Sequence, residues 1–339
     1  MRSFMSGVAI VVVIGALVGL GGCGGGSSVT TAPAAESKSS IWHPPATGPG
    51  SAKYAHGGFA VYKSGTTAQD YSVYTPTTPV PTTAPVVVFT HGWSWIEPTI
   101  YEDWIIHLTR KGNIVICPRW QEEKTDLNGG AFLPSAVTGI KRALRRLELQ
   151  GPVTPDKTHV AYFGYSIGGV LAADLAATWK ANQIPRPRVV FSVAPGTVSS
   201  ASGYPDPNDV TISDFSKIPA AVLLIAMAAQ DDTLVGDTLA KRIYNESTAI
   251  PATGKNYLIV NSDNHGSPAL TADHYFPKGA RNGTNVDALD YYALWKIGDA
   301  LLDAAFRGTN RKYALGNTPE QRNMGQWPDA TAVKPMTVH

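Results

Sequence analysis

Apolar and polar positions along this chain fall into short blocks whose period alternates between that of a buried strand and that of a helix. Residues 85–90, PVVVFT, form a continuous β-branched run, the pattern of a strand covered on both faces. Residues 113–117, 159–163, 188–193, 220–228 and 256–260 read as further strands. Helical segments lie between them. Residues 100–111 form one. In residues 135–149, Val137, Ile140, Leu144 and Leu147 share a face, while Lys141, Arg142, Arg145 and Arg146 take the solvated one. A helix starts near residue 168, and residues 287–306 make a long closing helix. Two short opening strands, 57–63 and 71–75, precede a proline-rich connector at 75–85. No internal repeat appears. This strand–helix alternation predicts an α/β domain with a mostly parallel, doubly wound sheet and helices on both faces. Residues 199–217, rich in Ser, Pro and Asp, are expected to form a surface excursion bordering any site. The tail, 308–339, has no regular period, and Trp327 is the residue expected to pin it to the domain.

Composition adds the class of chain. Its 339 residues are 43% hydrophobic, enough for a sizeable core. A formal net charge of +2, with no basic run interleaved with aromatics, argues against nucleic-acid binding. The N-terminus carries Arg2 and then an apolar run at 8–20, too short to span a membrane comfortably. The run ends in Leu20-Gly21-Gly22-Cys23, which resembles the lipobox of bacterial lipoproteins. That resemblance implies a signal peptide over 1–22, a lipid on Cys23 and an envelope location, outer membrane, periplasm or cell surface. An ordinary signal peptide or uncleaved anchor is the competing reading. Residues 23–50, rich in Gly, Ser, Ala and Thr, then form a flexible linker, and the globular domain covers 51–339. Cys117, the other cysteine, reads as a buried core thiol.

The chemistry concentrates at residues 164–168. Gly164-Tyr165-Ser166-Ile167-Gly168 fits the G-x-S-x-G nucleophile elbow, with a strand before it and a helix after it. A serine at a sharp strand-to-helix turn leaves no room for side chains two residues away on either side, hence glycines there. The competing reading is a glycine-rich turn with an incidental serine. A serine hydroxyl needs a base, and with this elbow the chain order is Ser, acid, His. Of the eight histidines, His265 and His274 suit that order. His265 follows the strand at 256–260 and is the expected base, with His274 the alternative. Asp232, just beyond the strand at 220–228, is the expected acid, with Asp231 its rival and Asp263 a third option. One of the Asp231–Asp232 pair is also expected to cap the segment starting near Thr233. The oxyanion donors are expected to be the amides of Ile167 and Trp93, the latter in the His91-Gly92-Trp93 loop after 85–90. His91 itself is then structural. His56-Gly57-Gly58-Phe59 mimics an oxyanion motif but precedes the sheet. Trp95, Trp120 and Tyr165 are candidate substrate-pocket residues, alongside Trp93. No metal-binding motif and no cofactor motif is present.

With the strand before HGW, GYSIGG, QDDTLV and NSDNHG in this order, residues 57–306 resemble the α/β-hydrolase superfamily. GGFAVYKSG, YSVYTP and the D-T-L-V loop look most like its dienelactone hydrolase and cutinase-like polyester hydrolase branch. Two features depart from the polyester hydrolases: Ile167 stands where they carry methionine, and Cys117 has no partner for their C-terminal disulfide. The resemblance implies a carboxylic ester hydrolase with Ser166, Asp232 and His265 as triad and the amides of Trp93 and Ile167 as oxyanion hole. It implies no cofactor, and a small or polymeric ester as substrate. An amidase or peptidase on the same fold, or a catalytically silent surface binding protein, are the rival readings.

Overall fold

The computed structural model describes residues 30–33, 42–203, 206, 208–278 and 286–339. The predicted signal peptide, 1–22, and Cys23 lie outside the described residues. The opening antiparallel strands are β1 (Thr30–Pro33), β2 (Gly58–Lys63) and β3 (Tyr71–Thr77). Then come β4 (Thr83–Thr90), α1 (Glu102–Arg110), β5 (Ile114–Pro118), α2 (Gly129–Gln150), β6 (Thr154–Tyr165) and α3 (Ile167–Thr178). The second half contributes β7 (Val189–Val193), α4 (Val198–Ser202), β8 (Leu223–Ala229), α5 (Thr238–Glu246) and β9 (Lys255–Val260). A π-helical stretch at Leu289–Trp295 leads into α6 (Lys296–Arg307), followed by α7 (Pro319–Arg322) and β10 (Thr337–Val338).

The strands form one sheet in the order β1-β2-β3-β5-β4-β6-β7-β8-β9-β10. The six strands from β5 to β9 run parallel, and antiparallel strands close both edges. The β-branched runs are buried on both faces because helices cover both. Val87, Phe89, Phe163 and Phe191 pack with Trp104, Leu108, Ile297 and Leu301 on the α1/α6 face. Val86, Val88, Tyr162 and Val190 pack with Ile140, Leu144, Ala172 and Ile243 on the α2/α3/α5 face. Strand order reverses between β4 and β6, so the loops beyond their C-terminal ends diverge and leave a crevice at the sheet centre. The loops of His91-Gly92-Trp93 and of Ser166 both open there.

Several boundaries differ from the periodicity. The α2 helix begins at Gly129, a turn and a half before the expected 135, and carries Pro134 inside it. The β6 strand starts at Thr154, and its polar first half pairs with β4 ahead of a register shift at Pro85/Val86. The α5 helix, absent from the expected elements, is amphipathic and buries Leu239, Ala240 and Ile243 on one face. The globular part also begins before residue 51. Trp42 is buried with its ring centroid 4.7 Å from that of Trp327, and the Gly50 amide donates to Asp299 Oδ2 at 2.8 Å. Within the expected linker, β1 pairs antiparallel with β2, a contact that residue composition does not signal.

The tail is pinned at several points. Trp327 is buried, its indole donates to Asp263 Oδ2 at 3.0 Å, and β10 pairs with β9. Lys296 Nζ donates to the carbonyls of Glu320, Gln321 and Asn323, tying α6 to the tail. Cys117 is a buried free cysteine in β5, and burial pushes its thiol up.

One buried acid carries a stability prediction. Asp174 on α3 accepts from the Ser213 amide at 2.8 Å through Oδ1, and its Oδ2 has no partner. Burial raises its carboxyl to about 7 from 3.8. The folded chain therefore holds this proton where the unfolded chain has released it, so the group's stabilisation is lost as pH rises from about 4 to about 7. Asp174→Asn is expected to gain stability relative to the parent across that window. A stability difference that stays flat with pH in parallel urea titrations would refute it.

Candidate active site

Ser166 sits between β6 and α3 with φ 57° and ψ −127°, a conformation that costs a non-glycine residue of order 1–3 kcal/mol. The surroundings hold it there. Its amide donates to the Val193 carbonyl at 3.0 Å. A Cβ on Gly164 would lie 2.0 Å from the Gly168 carbonyl oxygen. A Cβ on Gly168 would lie 2.1 Å from the Thr90 carbonyl oxygen and 2.3 Å from that of His91. Thr90 Oγ1 sits 2.6 Å from the Gly168 carbonyl oxygen, closing β4 onto the turn. Since backbone atoms block the methyl, Gly168→Ala is expected to destabilise the fold by about 3 kcal/mol. An unchanged melting temperature would contradict this.

His274 reaches Ser166. Its Nε2 lies 3.1 Å from Ser166 Oγ, and its Nδ1 lies 2.7 Å from Asp232 Oδ2. All three residues are buried. Asp232 Oδ1 accepts from the amides of Leu234 and Val235 at 3.1 and 3.0 Å, which orients the carboxylate and points Oδ2 at the imidazole. Among the described residues no helix starts near Thr233, since α5 begins at Thr238, so these two bonds close a turn instead of capping a helix. Asp231 faces the other way, accepting from Ser262 Oγ at 2.5 Å.

His265, the expected base, is placed elsewhere and is corrected. Its Nε2 pairs with Asp329 Oδ2 at 2.8 Å, with 41% of the histidine side chain exposed. Asp263, the third acid option, accepts from the Trp327 indole and the amides of Lys334 and His265. The cause lies in the loop after β9. Asp263 and Leu270 pair through their backbones, so the chain turns out at His265 and returns. Ala272 is then tied on both sides, its amide to Ser262 Oγ at 2.8 Å and its carbonyl to the Asp231 amide at 2.9 Å. That delivers His274 beside Asp232. Tyr165 fixes it further, its hydroxyl donating to the His274 carbonyl at 2.7 Å. A sequence signal existed: His265 has polar and glycine neighbours, whereas His274 is followed by Tyr275 and Phe276.

A cleft of about 340 Å³ opens over Ser166. Trp93, Trp95, Tyr165 and Ile167 line it, as do Thr197, Val198 and, from the expected excursion at 199–217, Ala201. Leu234 and Tyr275, among the few large apolar side chains left exposed, stand on its wall. Among the described residues, His274 is the only acidic or basic side chain lining it. Ile167 is the first residue of α3, where an amide has no intrahelical acceptor. Neither its N–H nor that of Trp93 has an acceptor among the described residues. The Gly92 amide, by contrast, donates to the Tyr101 hydroxyl at 3.1 Å.

Trp120, expected in the pocket, is instead fully buried and stacks on the His91 ring, centroids 4.3 Å apart. Its loop turns into the core at a positive φ of 41° rather than out to the cleft. His91 is held between the carbonyls of Gly92 and Arg119 at 2.7 and 2.5 Å, and burial lowers its imidazole to about 4. The two carbonyls oppose that burial, and the ring is fixed in place beside the Trp93 loop.

The arrangement can move a proton from Ser166 to His274, with Asp232 holding the Nδ1 proton, beside two available amides. No protein-family model matches the chain, and no curated protein matches it.

Proposed function

We propose that this chain is a serine hydrolase of the α/β-hydrolase fold that cleaves carboxylic esters through an acyl-enzyme. The observation that carries the reading is the continuous relay from Ser166 Oγ through His274 to Asp232, at 3.1 and 2.7 Å. Ser166 Oγ attacks the ester carbonyl carbon while His274 Nε2 takes the hydroxyl proton. Asp232 Oδ2 accepts from Nδ1–H and stabilises the imidazolium. The tetrahedral oxyanion receives the N–H groups of Ile167 and Trp93, each such donor being worth about 3 kcal/mol. Collapse breaks the bond to the alcohol, which leaves with the proton from His274. Water then enters, gives a proton to His274 and attacks the acyl carbon. The second collapse releases the acid and returns the proton to Ser166. No cofactor is required by these steps.

The apolar walls favour uncharged esters with apolar or aromatic groups. In this reading, Cys23 carries a lipid after removal of 1–22, which holds the domain in the cell envelope. The test is hydrolysis of short p-nitrophenyl esters by the parent and Ser166→Ala, with a fluorophosphonate probe run beside them. Labelling and turnover confined to the parent support the reading; equal turnover in both overturns it.

A further inference from the structure

A second cavity, of about 630 Å³, lies at the opposite end of the sheet from Ser166. Residues at the N-terminal ends of β6, β7 and β8 meet the end of α6 there. Lys157, Arg186, Arg188 and Arg311 line it, and no Asp or Glu does. Since the whole chain carries a formal charge of only +2, this is a local concentration of positive charge.

The neighbouring acids do not neutralise the arginines. Glu148 pairs with Lys157 at 2.5 Å. Asp156 gives its oxygens to Thr158 and His159. Asp303 faces Arg307 and Asn310. Arg188 donates to the Ala305 carbonyl at 3.3 Å near the end of α6, and Arg311 donates to the Thr253 carbonyl. Arg186 lies 6.0 Å from the Trp179 ring. A carbonyl takes up one guanidinium N–H and cancels no charge, so each tethered arginine keeps further donors. The tethers also limit the side-chain freedom that a ligand would otherwise have to remove.

We propose that this cavity binds a phosphate group, with Arg186, Arg188 and Arg311 as its ligands and Lys157 at the rim. Three guanidinium groups around one space call for more than a single negative charge, and their planar forks match phosphate oxygens. From Thr158 to Ser166 along β6 is roughly 26 Å at the usual strand rise. The bound phosphate therefore takes no part in the chemistry at Ser166. A domain held through this end would present its cleft on the far side. The phosphate could belong to a lipid headgroup or to a soluble molecule.

The test uses the full chain in a nonionic detergent and titration calorimetry at low salt. The probes are inorganic pyrophosphate, and phosphatidic acid or phosphatidylcholine dispersed in the micelles. Arg186→Gln, whose side chain has no backbone tether, is expected to weaken binding about tenfold, and Arg186→Gln/Arg311→Gln about a hundredfold. Pyrophosphate binding with no preference for phosphatidic acid over phosphatidylcholine identifies a soluble ligand. Binding of phosphatidic acid alone identifies a headgroup, and binding of both identifies phosphate chemistry common to the two. Absence of binding by either phosphate probe, or equal binding by parent and variants, overturns the proposal.

Discussion

Replacing His274 by alanine is expected to lower kcat for ester hydrolysis by roughly 10⁴- to 10⁶-fold. His265→Ala, in the same assay, is expected to leave kcat within about twofold. The contrast follows from where the two imidazoles stand. His274 is buried with Ser166 Oγ on one nitrogen and Asp232 on the other. Without it, nothing near the hydroxyl can take the proton, and the remaining acceleration comes from the amides and the cleft. His265 makes an exposed pair with Asp329 on the tail, and such a pair contributes about 1 kcal/mol or less. Steady-state kinetics on the two variants decide the matter. A large loss in His265→Ala with near-normal turnover in His274→Ala would reject the assignment.

Asp232→Asn is expected to lower kcat by about 10⁴-fold, whereas Asp231→Asn changes it little. The two backbone donors decide how the amide would sit. Leu234 and Val235 present N–H groups to the Oδ1 position, so asparagine keeps its carbonyl oxygen there. Its NH₂ then faces His274 Nδ1 and requires a lone pair on that nitrogen. The imidazole proton moves to Nε2, the nitrogen facing Ser166, where a base needs a free lone pair. The ring stays in place but holds the wrong tautomer. Asp231 contacts Ser262 instead and does not reach the relay. Kinetics paired with histidine proton NMR would check both halves. Normal turnover in Asp232→Asn, or an Nδ1–H retained in that variant, would contradict the argument.

Much of the architecture is readable from residue pattern. The β-branched runs at 85–90 and 188–193 are central strands because only strands covered on both faces tolerate such continuous apolarity. The turn at Ser166 is equally legible, since Gly164 and Gly168 sit where backbone oxygens lie within 2.1 Å of any added Cβ. Other features carry no comparable local mark. The early start of α2 and the packing of Trp42 and Gly50 against the domain depend on partners distant in sequence. Trp120 shows the same limit. A tryptophan beyond a strand end suits a cleft or a core, and stacking on His91 places this one in the core.

The choice between His265 and His274 shows where pattern stops. The chain order Ser, acid, His that the resemblance implies leaves three of the eight histidines after Ser166, and the terminal position of His339 leaves two. Proximity to the strand then favours His265, and the tertiary fold reverses that preference. The Asp263–Leu270 pairing and the two bonds on Ala272 spend the intervening residues on an outward loop, so the later histidine meets Asp232. Strand, turn and helix arise from local sterics and periodic burial, which each segment carries within itself. Which imidazole reaches the serine depends on long-range hydrogen bonds, and those exist only once the sheet and its loops are assembled.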